Sequence, residues 1–167
     1  MAIGYRHVGV IGAMAEEVER LHRHLVAETV TEHAGRTYRH GTLEGQRVTV
    51  VQSRIGKVAA ALTAASLVRD HDVDAVVFTG IAGALHDDLA IGDVVVATEL
   101  VQHDLAGPPD MFARGEIPLL GVVELATDET LTAAAVMAAR SFVDDGLDAV
   151  VTPEQLASLG IGRPSVH

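Results

Sequence analysis

The chain has no cysteine and no tryptophan, and aromatic residues fill only 3% of its 167 positions. Without cysteine there is neither a disulfide framework nor a thiolate metal site. Lysine is nearly absent too, Lys57 being the single one. Twelve Lys+Arg stand against 23 Asp+Glu, a formal net charge of −11. That balance opposes a phosphate backbone, whose affinity comes from clustered cations, so a nucleic-acid partner is not expected. No apolar run reaches the ~18 residues of a membrane span. Tyr5, Arg6 and His7 precede a short strand where a secretory leader would carry its apolar region. The expectation is a cytoplasmic protein with no membrane partner.

Small aliphatic residues are abundant instead. Apolar residues make up 49% and the mean hydropathy is +0.29, enough for one domain over 1–167 with a sizeable core. Alternation over 7–11 (HVGVI) predicts a strand, and a helix follows over roughly 14–26. Strands are expected near 37–43 and 47–52, hinged at Glu44 and Gly45, with an Ala-rich helix over 57–69. The continuous apolar run 74–79 reads as a strand buried on both faces, and 93–101 as another. A loop carrying Pro and Gly spans about 104–121, and a helix covers 128–142. Strands alternating with helices argue for an α/β layered fold with a mixed, largely parallel sheet. Residues 164–167 read as the approach to a strand that does not follow, as if a C-terminal portion were missing.

Three stretches hold candidate chemistry. In VGVIGAMAEEVERL (8–21), a strand stops at Gly12 and two carboxylates open the next helix. At ~100° per residue, Met14, Val18, Leu21 and Leu25 share the apolar face and Glu16 and Glu19 face water. Glu17 sits at the border, at the carboxyl end of a strand, where open α/β sheets bind ligands. An ionised carboxylate there can act as a general base. QSRIGKVAAAL (52–62) is not a phosphate loop, because Val51 and Val58 occupy the places of its first glycine and its Ser/Thr. VVFTGIAGAL (76–85) ends a strand in small residues that let backbone approach a ligand, but it lacks the GxGxxG dinucleotide fingerprint. The histidines at 22, 24, 33, 40, 71, 86 and 103 form no HExxH-type pair and read as exposed helix and loop residues, so no metal site is expected. A GxSxG elbow is absent as well.

Taken together, GVIGAMAEEVERL, SRIGKVAAALTA and TGIAGAL, with IGDVVVATELVQHD and EIPLLG, resemble the 5′-methylthioadenosine/S-adenosylhomocysteine nucleosidases of the purine nucleoside phosphorylase superfamily. The resemblance implies a three-layer α/β/α sandwich and hydrolysis of the bond between adenine and a 5′-thio-substituted ribose, without cofactor. It implies that Glu17 activates the water, that Met14 and Ile55 line the ribose and alkylthio side, and that Ile81, Ala82 and Gly83 floor the nucleoside cleft. It also implies a homodimer. Phosphorylase relatives carry anion-binding side chains where this chain has Phe78 and Ile81, so hydrolysis fits better than phosphorolysis. Three departures stand out. Ile81 replaces a frequent serine, and the loop 105–109 is altered. The family's later SGD, VEMEG-like and SD stretches, which supply a ribose-binding Glu and an acid for adenine, do not occur. The alternatives are a related N-ribosyl hydrolase such as futalosine hydrolase, and a non-catalytic fragment or nucleoside-binding subunit.

Overall fold

Short runs of β-branched residues build a sheet in the first half of the chain. The computed structural model describes residues 4–108 and 111–167; Pro109, in the loop noted above, lies outside the described residues. The chain divides into two compact units, Met1–Gly83 and Ala84–His167. The first runs β1 (Val8–Gly12), α1 (Ala15–His24), β2 (Val26–His33), β3 (Arg36–Leu43), β4 (Gln46–Gln52), α2 (Lys57–Asp70) and β5 (Ala75–Phe78). Its strands form one five-stranded sheet in the order β2-β3-β4-β1-β5. β1 lies between β4 and β5 and is parallel to both, whereas β2, β3 and β4 are joined antiparallel. The sheet is mixed, as expected.

Side-chain alternation puts one helix on each face. Val8, Val48 and Val50 pack on Val18 of α1, with Leu21 and Leu25 beside them. On the other face Ile11, Tyr38, Val51 and Val73 pack on Leu67 of α2. The first unit is therefore an α/β/α sandwich. Each fully buried aliphatic side chain contributes about 1.5–3 kcal/mol relative to exposure. Both hairpins turn on pairs of residues with positive φ, Ala34 and Gly35 (49° and 70°) and Glu44 and Gly45 (47° and 81°), as a two-residue turn matched to strand twist requires. The hinge expected at Glu44 and Gly45 is in place.

Three sequence expectations differ from the structure. Residues 26–33 form a strand not foreseen; all eight are exposed, so no buried face marks them in the sequence. The strand at 74–79, expected to be covered on both faces, is β5, in which Val76 is 37% and Phe78 60% exposed. It ends the sheet order, pairing with β1; apolar composition reports the strand but not which neighbours cover it. The strand expected over 93–101 is reduced to β6 (Glu99–Val101) and a bridge from Val94 to Val166.

The second unit pairs β6 antiparallel with β7 (Glu124–Ala126). Then come α3 (Glu129–Ser141), a wide helical turn Phe142–Gly146, a tight turn Leu147–Ala149, and α4 (Pro153–Ser158). Asp128 caps α3 through the Leu131 N–H at 2.8 Å, and Thr152 with Gln155 closes a capping box on α4. The end of the chain returns to 93–96. Asp93 accepts the Ser165 N–H at 2.6 Å, and the Val96 N–H donates to the His167 carbonyl at 2.9 Å. Among the described residues of this unit only Val143 and Leu147 are buried hydrophobics. Local opening tracks buried apolar contact, so amides of α3 should exchange with deuterium at least 10²-fold faster than those of β1 and β4. Equal protection of the two sets would contradict this unequal core.

Candidate active site

The carboxyl ends of three strands meet at Gly12. The Ser53 N–H, just past β4, donates to the Gly12 carbonyl at 2.8 Å, and the Thr79 N–H, just past β5, donates to the Ile11 carbonyl at 2.9 Å. A β-carbon on Gly12 would lie 2.7 Å from Val18 Cγ1 and 3.0 Å from Glu17 Cβ. Its absence lets α1 start directly over the strand end, and so aims Glu17 back at the sheet.

Among the described residues the Glu17 carboxylate is held by main chain alone. Oε2 accepts the N–H groups of Ala13 and Met14 at 2.7 and 2.8 Å, and Oε1 accepts the Ile81 N–H at 3.1 Å. The Met14 bond is half of a capping box, with Glu17 at the third helical position. These bonds hold the carboxyl below the ordinary glutamate range, the Met14 N–H contributing most, while partial desolvation works the other way. The group is an anion at neutral pH, at a helix N-terminus that favours one.

Of the six residues singled out in the sequence, Glu17, Met14 and the main chain of Ile81 come together. The Ile81 side chain is 80% exposed and that of Ile55 79%; Ala82 and Gly83 are exposed beyond β5. Glu16 and Glu19 are exposed as expected. Gly80, not singled out in the sequence, is a near neighbour of Glu17, a β-carbon there falling 2.8 Å from Oε1.

His24, His33, His86 and His103 are exposed as expected, whereas His22, His40 and His71 are half-buried, a correction to the reading of all seven as exposed. His7 is buried, and its Nε2 shares the Thr49 hydroxyl with His40 Nδ1, at 2.7 and 2.9 Å. The His71 ring lies 4.9 Å from that of His40 and 4.3 Å from that of Tyr38. Strand alternation puts His40 beside Tyr38 on the face that α2 covers, and the sequence signal was that two-residue period. Among the described residues no group of three or more His, Cys, Asp or Glu is placed to hold a metal ion.

The sequence profile of the phosphorylase superfamily matches residues 7–151. The chain belongs to the phosphorylase superfamily. Within it, the chain is 43% identical over 113 residues to a 5′-methylthioadenosine/S-adenosylhomocysteine nucleosidase of Chromohalobacter salexigens, a match covering 68% of this chain and 48% of that protein. The crystal structure of the Colwellia psychrerythraea nucleosidase in complex with adenine superposes with a TM-score of 0.78 at 36% identity, over 97% of this chain and 60% of that one. The Neisseria meningitidis nucleosidase in complex with methylthio-immucillin-A gives 0.79 at 32% identity, over 96% of this chain and 62% of that one. The chain spans about half the length of the curated superfamily relatives it matches.

Proposed function

We propose that the protein hydrolyses the N-glycosidic bond of 5′-methylthioadenosine or S-adenosylhomocysteine, releasing adenine and the thioribose product. The observation that carries this reading is an ionised Glu17 clasped by three N–H groups at the carboxyl ends of parallel strands. As the bond to adenine breaks, positive charge grows on the sugar, and a fixed anion beside it lowers that barrier. A carboxylate held so far toward its ionised form is a weak base toward free water. Water adding to a sugar cation becomes a strong acid as it bonds, however, and Glu17 can take its proton at that stage. Met14, Ile55, Ile81, Ala82 and Gly83 would line the nucleoside, a reading supported by their places around the strand ends. No cofactor is required by this chemistry.

Adenine release from methylthioadenosine by the purified chain tests the proposal. Leaving-group protonation contributes about 10²–10⁴-fold, and the resemblance places the acid that supplies it in a later stretch than the 167 residues tested. The chain alone should therefore turn over slower than a full-length relative by a factor in that range, and millimolar phosphate should not speed it. Phosphate-dependent release would replace hydrolysis by phosphorolysis; faster turnover of futalosine would move the assignment to that hydrolase. Binding of adenine with no release at all would favour a nucleoside-binding subunit.

Two coarser properties go with this reading. Among the described residues no helix is long and apolar enough to cross a membrane; a cytoplasmic location is part of the same proposal. A homodimer is supported by Val58 and Leu62, exposed at 76% and 59% along the start of α2, apolar surface of the kind a two-fold interface covers.

A further inference from the structure

The bend after β5 does more than donate one hydrogen bond. A carboxylate has about four acceptor positions, two on each oxygen. Oε2 of Glu17 fills both of its own with the Ala13 and Met14 N–H groups. Among the described residues Oε1 takes only the Ile81 N–H, so the acceptor position left for another donor is on Oε1. Gly80 borders that oxygen. A β-carbon there would stand 2.8 Å from Oε1, 3.2 Å from Cδ and 3.4 Å from Oε2 of Glu17. All three nearest atoms belong to this one side chain. Gly80 does not have the positive φ that marks Gly56 or Gly92, so its backbone conformation does not call for glycine. The space beside Glu17 does.

We propose that Gly80 is a positioning residue: lacking a side chain, it lets the Ile81 N–H reach Oε1 and keeps the free acceptor position of that oxygen open to a water-sized donor. That the donor is the attacking water rests on the hydrolase reading; the geometric role does not. A serine hydroxyl at position 81 could hold the carboxylate from its side chain. Isoleucine cannot, and the main chain alone performs the task.

The test is titration of the full chain followed by NMR, on the Glu17 carboxyl carbon and the amide protons. In the unmodified chain the amides of Ala13, Met14 and Ile81 should follow one midpoint, that of Glu17. Gly80→Ala should raise that midpoint by about 1 pH unit and uncouple the Ile81 amide. Gly162→Ala, at a glycine with open space around it and no positive φ, should change neither. Turnover by Gly80→Ala should fall by up to about 10²-fold, in kcat more than in KM. An unchanged midpoint with Ile81 still coupled overturns the proposal. Should Gly80→Ala unfold, adding Glu17→Ala should restore the fold, because the clash is with that side chain; failure to restore it also overturns the proposal. Absence of hydrolysis by the unmodified chain, with its shared titration intact, would remove the hydrolase reading and leave the clasp standing.

Discussion

On the proposed hydrolase reading, replacing Glu17 by Gln should lower adenine release by about 10²–10⁴-fold relative to the unmodified chain, with the fold retained. The amide keeps the length of the side chain, and its oxygen can still accept the Ala13 and Met14 N–H groups. Its NH₂ then faces the Ile81 N–H, donor against donor, where Oε1 now accepts. What disappears is the negative charge that, on that reading, stands beside the sugar and receives the proton from water. Adenine release measured alongside a thermal melt separates this loss from unfolding. A fall of less than threefold in a folded variant would mean that Glu17 only caps α1. Because the carboxyl ionises below the ordinary glutamate range, the unmodified rate should stay flat from neutrality into mildly acidic solution, with any acid limb set by Glu17 lying below that range.

Stability should fall steeply as the pH drops below about 6.5. Burial is the main cause that lowers the pKa of His7, His22, His40 and His71. Neighbouring charges modify each one. Arg47 and His71 lower His7 further while Asp74 and the Asp72 main chain oppose, and Arg39 lowers His22 against Glu28 and Glu19. His71, His7 and Arg47 all lower His40; for His71, Asp70 raises and His33 lowers. The sign follows from proton uptake. Above 6.5 these groups are neutral in both folded and unfolded chains. Below it the unfolded chain takes up protons that the folded one refuses, so stability present at pH 7 is lost as the pH falls toward the folded values. Each group can contribute up to about 1.4 kcal/mol per pH unit across that window. Urea unfolding at pH 7.5, 6.0 and 5.0 measures the slope, and His40→Asn should reduce it. A flat profile between 7.5 and 5.0 would mean that the four rings stay accessible to protons in the folded chain. The carboxyls held low by main-chain donors, Glu17 and Asp74 among them, lose their contribution only at more acidic pH.

Much of this was legible in the sequence because it depends on short-range periodicity. The face shared by Val18, Leu21 and Leu25 follows from the helical repeat, and that repeat also puts Glu17 at its border. The hairpin at Glu44 and Gly45 follows from turn chemistry. What failed required knowing neighbours. Val76 and Phe78 have the composition of a covered strand, yet they stand at the end of the sheet order. Residues 26–33 were missed because their polar and β-branched side chains are exposed on both faces and stabilise the strand by cross-strand pairs such as Glu28 with Arg39. His40 and His71 meet only after β3 and α2 are assembled, 31 positions apart in the chain. Gly80 belongs to the same class, since its reason for being glycine is a carboxylate 63 positions earlier.

The grip on Glu17 by peptide groups also bears on how the site can vary among descendants of this gene. Every amino acid except proline offers an N–H, so position 81 can vary in size and polarity without releasing the acid, whereas a side chain at position 80 must displace the Glu17 carboxylate. A saturation library selected for function should therefore show adjacent sites of opposite character, one permissive and one fixed, with the permissive one available for tuning which nucleoside is accepted.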